Sequence, residues 1–436
     1  MMRLTPTKIR NIFTEHVNSL NPEDVAKAPG NFSRNRLCNF NDTLFLLMTM
    51  ANHSLTTEIT NFFSYQSKAI PSKSAFCQQR SKLSESALKN IFAATNNLFP
   101  FKKKFKGLHI LAADGSDINI PSQAGEEATF TPYNSNKGGY HQIHLNAVYD
   151  ILEKRYVDAI VTLKRETDEI GSLTKMVKRS SLQEDCLYIA DRGYSSFNML
   201  MHLDRSKQYY LIRTKSPENR NSFIRGIVPI DNCEYDVDHS FMLSRRHFDK
   251  SFDKTVFKKI KSNGKFDFIE PDDKRTILKL SLRVVKIRLS KDSFEYLLTN
   301  LPRDKFPPCV LKELYGMRWG VETSFRSLKY SLGLNFFHSR KLEFILQEVF
   351  AHLTMYNLIS LLNSCIKNKH LKKERKYQYM ISFADSVVSC RWFITGMISA
   401  KKLKDLLSRN WNPIKPNRSF QRKTRSQRVQ PLNNRS

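Results

Sequence analysis

Two stretches decide how this chain is read: Leu108-His-Ile-Leu-Ala-Ala-Asp114-Gly-Ser116 and Cys186-Leu-Tyr-Ile-Ala-Asp191-Arg-Gly193. Each is an apolar run too short for a helix, closed by an aspartate and a turn signal. Such runs read as buried strands, each ending in a carboxylate. Between them, His141 to Tyr149 and Arg155 to Leu163 are separated by a few polar residues, as in a hairpin. Glu166 to Lys178 has helical spacing. Beyond the second stretch, Phe197 to Leu203 reads as a helix and Gln208 to Arg213 as a strand.

The order strand(Asp), strand, strand, helix, strand(Asp), helix, strand resembles a ribonuclease-H-like α/β sheet, antiparallel strands first and parallel ones after. Five regions follow. Residues 1–100 look helical and are expected to bind DNA, with Thr43 to Ala51 and Ser84 to Leu98 in helical spacing. The polar, basic stretch Ser72 to Arg80 has the look of a groove-entering helix pair, or equally of any surface helix. Residues 101–214 form the first part of the catalytic core. Residues 215–300 hold short alternating segments and read as a β-rich insertion. Residues 301–365 return to the core: Pro307-Pro308 marks a boundary, and one long helix is expected from about Val310 to Leu332, stopped by Gly333. Glu343 to Leu362 reads as a core helix. Residues 366–436 are basic helices and a tail, with no acidic residue after Asp405.

Composition narrows the partners. The chain has 436 residues, and 71 Lys+Arg against 41 Asp+Glu give a formal net charge of +30. That field points to a polyanion, nucleic acid first. The longest apolar run, near Leu44 to Met50, is under half of the ~20 residues a membrane-spanning helix needs. Met1 to Phe13 lacks the apolar stretch of a secretory leader. The seven cysteines are scattered, with no C-x-x-C pair. A cytoplasmic protein with reduced cysteines, associated with the nucleoid when on DNA and not with a membrane, is the expectation.

The chemistry is carried by Tyr315-x2-Arg318-x3-Glu322-x6-Lys329. At about 100° per residue on an ideal helix these four share a sector of about 60°. Leu314, Val321, Phe325 and Leu328 form an apolar stripe beside it; Arg326 and Trp319 flank it. The strip holds one carboxylate among phenol and cations. In-line cleavage of a phosphodiester uses two divalent metals held by few carboxylates, leaving room for water and phosphate. Asp114 and Asp191 supply two ligands, with Asp117 an alternative to Asp114, and Glu322 a third. Arg318 and Lys329 would hold phosphates, the first as a fork and the second as a point charge. Tyr315 would donate its hydroxyl to a phosphate or pack on a base, and Trp319 would stack on a displaced base or be buried.

These residues resemble the Tyr-Arg-Glu-Lys motif of the bacterial insertion-sequence DDE transposases of the fourth-numbered family. Asp114-Gly-Ser116 and Ile189-Ala-Asp191-Arg-Gly-Tyr194 resemble that family's two catalytic aspartate motifs. The resemblance spans roughly residues 30 to 370. It implies a ribonuclease-H-like domain interrupted by a β-rich insertion and a homodimer on double-stranded DNA. Asp114, Asp191 and Glu322 would hold Mg²⁺, with Mn²⁺ as a substitute. Tyr315, Arg318, Lys329 and Trp319 would contact DNA. The implied reaction is cleavage at inverted-repeat ends, then transfer of the 3′-hydroxyl into target DNA. A nuclease without strand transfer and a domesticated DNA-binding protein are the rival readings.

Overall fold

The structure is a computed structural model. It describes residues 4–122, 127–132, 138–182, 185–249, 251–290, 293–367 and 377–414. The basic tail from Lys415 onward lies outside them.

Six helices come first: α1 (Pro6–Ser19), α2 (Pro22–Val25), α3 (Phe40–Thr49), α4 (Leu55–Tyr65), α5 (Lys73–Arg80) and α6 (Ala87–Leu98). Side-chain oxygens open five of them: Thr5, Asn21, Asn39, Ser54 and Ser72 accept backbone N–H groups at the helix starts. Ser86 rather than Ser84 begins α6, without a side-chain cap. The stretch Ser72 to Arg80 is α5 and its cap. Its Arg80 faces inward, 2.9 Å from Glu348 and over the Phe344 ring. That arginine is therefore a buried structural cation, not a groove-reading one.

The central sheet has ten strands: β1 (His109–Ile120), β2 (Phe130–Pro132), β3 (Gly139–Asp150), β4 (Arg155–Leu163), β5 (Cys186–Ala190), β6 (Tyr209–Thr214), β7 (Tyr235–Ser244), β8 (Phe257–Lys259), β9 (Leu278–Ser290) and β10 (Ser293–Thr299). Its order is β2-β3-β1-β5-β6-β10-β9-β7-β8, with β4 also on β3. β1, β5 and β6 are parallel; β3 and β4 form the antiparallel hairpin. The strands within 215–300 do not form a sheet of their own. β10 pairs antiparallel with β6 and carries β9 and β7 outward. Apolar pattern alone could not tell a separate sheet from an extension, because both bury alternate residues.

Helices cover both faces. α7 (Glu169–Lys178) and α8 (Phe197–Arg205) lie on one. α9 (Pro308–Met317), α10 (Trp319–Arg326) and α11 (Leu342–Ser364) lie on the other. Strand alternation sorts the side chains: Leu111 and Ala113 point to the α7 face, Ile110, Ala112, Ile118 and Ile120 to the α11 face. α11 is long and apolar enough to cross a membrane by length and composition, yet 94% of its most apolar window is buried inside the protein. It is the helix around which the N-terminal helices pack. α12 (Phe383–Ile394) and α13 (Ala400–Leu407) close that core, and β11 (Gln378–Ile381) pairs with β12 (Trp411–Ile414).

The expected helix from Val310 to Leu332 starts at Pro308 and is interrupted. The helical bonding breaks at Arg318, and the last turn, Ser327–Ser331, is a π-helix. Such wide turns sit at functional sites in many helices. Gly333 ends the run at φ +90°, where a side chain would collide with Asn52.

Candidate active site

β1 does not stop at Asp114. It runs to Ile120, because β3 stays paired alongside to Ile120↔His141. Only the parallel neighbour ends there: Ala113 pairs with Ala190, the last residue of β5. Asp114 and Asp191 are thus the next residues on two adjacent strands. By alternation both point to the face that α9 and α10 cover. The Asp114 carboxylate accepts the Gly115 N–H at 2.9 Å. Asp191 accepts the Arg192 N–H at 2.6 Å and caps the turn Arg192–Tyr194.

Glu322 reaches the same place from α10. Arg318 donates to it at 2.8 Å, and the other end of that guanidinium lies 3.8 Å from Asp114. Arg318 is 5% exposed and stands over the Trp319 and Tyr315 rings, at 5.1 Å and 5.8 Å. One cation thus bridges two of the three expected carboxylates. Burial pushes the Asp114 carboxyl up to about 6; the Gly115 N–H and Arg318 oppose this, while Glu322 and Glu169 add to it.

Tyr315 departs from the surface strip. Its ring is 4% exposed, packed with Leu311 and Leu314, so it is not open to a base. Its hydroxyl is buried, has no hydrogen-bond partner among the described residues and sits among the charges of Arg318, Asp191, Glu295 and Arg213. Trp319, by contrast, is 53% exposed. Lys329 is displaced from the strip by the π turn. Its ammonium donates to the Asp117 carbonyl, and burial lowers its pKa. An ideal wheel cannot show this, because it assumes one rotation per residue throughout.

Asp117, three residues beyond Asp114, points to the α7 face. Its carboxylate takes two bonds of 2.7 Å from Lys164 and one of 2.6 Å from His144. Burial alone would raise it, but these bonds prevail and hold it at about 2. Sequence reasoning missed three further titratable groups at the site. Glu169 and His144 lie beneath Asp114, and Glu295 on β10 pairs with Arg213 at 3.7 Å beside Asp191. Their signals were weak: Glu169 is the first residue of a helix, and Glu295 lies in a strand whose partner could not be foreseen.

Among the described residues no three histidine, cysteine or acidic side chains stand together as a ready-made metal cage. The donor set nevertheless suits a hard divalent cation. It consists of carboxylate oxygens on one face, and the Asp114 carboxyl is raised first by burial and then by its acidic neighbours Glu322 and Glu169, whose charge a cation would offset. Arg318 supplies part of the positive charge there and would have to give way.

The profile of the family described as transposase DDE domain matches residues 106–358, more than half of the chain. The chain is a DDE transposase. No curated protein matches it. Among solved structures the transposase is similar to piggyBac transposase in a synaptic complex with hairpin DNA, with 12% identity and a TM-score of 0.47, over 95% of this chain and 87% of the other. As an enzyme of the DDE class it belongs to a group that generally depends on divalent metal.

Proposed function

We propose that this transposase is of the Tyr-Arg-Glu-Lys insertion-sequence type and moves DNA by cleaving at inverted-repeat ends and joining the freed 3′-hydroxyl to target DNA. In this reading residues 101–214 and 301–365 are a ribonuclease-H-like core, 215–300 its insertion, and 1–100 a DNA-binding region. Residues 366–436 add basic helices and a tail, and the active form is a homodimer. The observation that carries the reading is the approach of Asp114 and Glu322 to one guanidinium, with Asp191 on the adjacent strand.

Asp114, Asp191 and Glu322 would hold Mg²⁺, or Mn²⁺ in its place. When bound, the metal supplies Lewis acidity at the scissile phosphate and a more acidic water. The chain's own residues do the rest. Arg318, released from the two carboxylates, presents a planar fork to phosphate oxygens. Lys329 adds a second cation at the β1 side, and the exposed Trp319 offers a face for an unstacked base. In the first step water attacks the phosphodiester at the element's end and the 3′-oxygen leaves, taking up a proton. In the second that 3′-hydroxyl attacks a target phosphodiester and a target 3′-oxygen leaves.

Labelled terminal-repeat DNA mixed with a target plasmid tests this. Joined products are the expected result. Cut ends without joining would turn the assignment to a nuclease. Binding with neither cutting nor joining would turn it to a domesticated DNA-binding protein.

A further inference from the structure

The two aspartate motifs share a feature that the three-carboxylate reading does not use. Asp114 is followed by Gly115, and Asp191 is followed two residues later by Gly193. Both glycines border one side chain, Glu169, the first residue of α7. A Cβ at Gly115 would lie 2.7 Å from Glu169 Oε1 and would collide with His144 Nε2; a Cβ at Gly193 would lie 3.8 Å from Glu169 Oε2. One carboxylate oxygen thus faces each motif.

His144 faces that carboxylate at ion-pair distance. Its side chain is only 6% exposed. Nδ1 is 2.6 Å from Asp117 Oδ1 and Nε2 is 3.2 Å from Glu169 Oε1. Lys164 holds Asp117 from the other side at 2.7 Å, and Lys329 holds its carbonyl. α7, β3, β1 and the π turn are therefore joined by charge directly beneath Asp114. Glu169 also acts electrostatically on Tyr194, which follows Gly193.

We infer that Glu169, facing His144, admitted by Gly115 and within van der Waals reach of Gly193, is a further positioning residue of the transposase, lying against both aspartate motifs and supplying negative charge behind Asp114. The inference rests on the reading of Asp114 as a metal ligand. A full negative charge this near a cation site, partly screened by solvent, corresponds to roughly a fivefold to tenfold change in cation affinity.

The test is Mn²⁺ binding to the full-length protein, followed by the electron-paramagnetic signal of free Mn²⁺, together with the kinetics of end cleavage. Glu169→Gln is expected to weaken Mn²⁺ binding about fivefold to tenfold. Its kcat should fall at low Mn²⁺ and recover as Mn²⁺ is raised, with KM for terminal-repeat DNA within about twofold. Gly115→Ala removes no charge but displaces both side chains, and should reproduce the loss. A purely structural role would not produce metal rescue. Unchanged Mn²⁺ affinity in Glu169→Gln overturns the inference alone if Asp114→Asn does weaken binding. If neither variant weakens it, both the inference and the metal-site reading fall.

Discussion

The two faces of β1 carry two aspartates three residues apart, and they have opposite fates. Asp114 looks toward α10, is underpaired, and is pushed up to about 6 by burial. Asp117 looks toward α7, is bonded by Lys164 and His144, and is held at about 2. A carboxylate meant to receive a cation must be left short of partners. A carboxylate meant to hold the fold must not be. The contrast teaches that environment rather than residue type separates the two carboxyls, which is what the proposed metal role of Asp114 needs, and it can be broken experimentally.

The largest expected effect is on the α10 face. Glu322→Gln keeps the shape and the hydrogen bond to Arg318 but removes a charge and a metal oxygen. Strand transfer into a target plasmid should fall by at least about 10³-fold while end binding persists. Unimpaired joining by this variant would remove Glu322 from the site.

Next come two stability changes of opposite sign. Asp114 has an ordinary pKa of 3.8 and a folded one of about 6. The folded state therefore holds that proton more tightly, and stability is lost as pH rises from about 4 through about 6. Asp114→Asn escapes this loss. At pH 8 it should be more stable than the parent by on the order of 2 kcal/mol, the gain disappearing below about pH 4. Asp117 is the reverse: its folded pKa of about 2 lies below the ordinary 3.8. Its contribution is present above about pH 4 and lost as pH falls toward 2. Its side chain is 38% exposed, so screening reduces the effect. Asp117→Asn should cost about 1 kcal/mol at pH 7. Urea unfolding of both variants at pH 8 and pH 4 checks the pair. The same sign for both at pH 8 would erase the distinction between the faces.

How much of this was legible in the sequence depends on whether the cause was local. The run Cys186 to Ala190 is the strand β5 residue for residue, and the hairpin was readable because apolar runs and turn residues lie within it. Asp114 stands out in the sequence as the carboxylate after an apolar run, but it lies within its strand and not at the end. Its true setting depends on β3 continuing past β5, a fact of pairing between segments distant in sequence. The apolar stripe Leu314, Val321, Phe325 and Leu328 is buried as expected. The polar strip is not one strip, because the break at Arg318 and the π turn rotate Tyr315 inward and Lys329 toward β1. His144 and Glu169 carry little local signal: they meet because Gly115 leaves space between β3 and α7.

Lys329 gives the smallest effect and the finest test of the two-face picture, since it ends on the backbone of Asp117 rather than among the carboxylates. If it turns to a phosphate on DNA, Lys329→Ala removes one counterion-releasing contact. The slope of log affinity against log salt should flatten by about 0.9, with a loss of roughly threefold in end binding near 0.1 M salt. Lys164, already neutralised by Asp117 at 2.7 Å on the other face, provides the contrast. Lys164→Ala should leave the slope unchanged, although it loosens the same strand. Binding isotherms of both variants on terminal-repeat DNA across a salt series separate the cases. Equal slopes for the two would mean that Lys329 stays on β1 when DNA is bound, and that its part is to fix the π turn rather than to grip a phosphate.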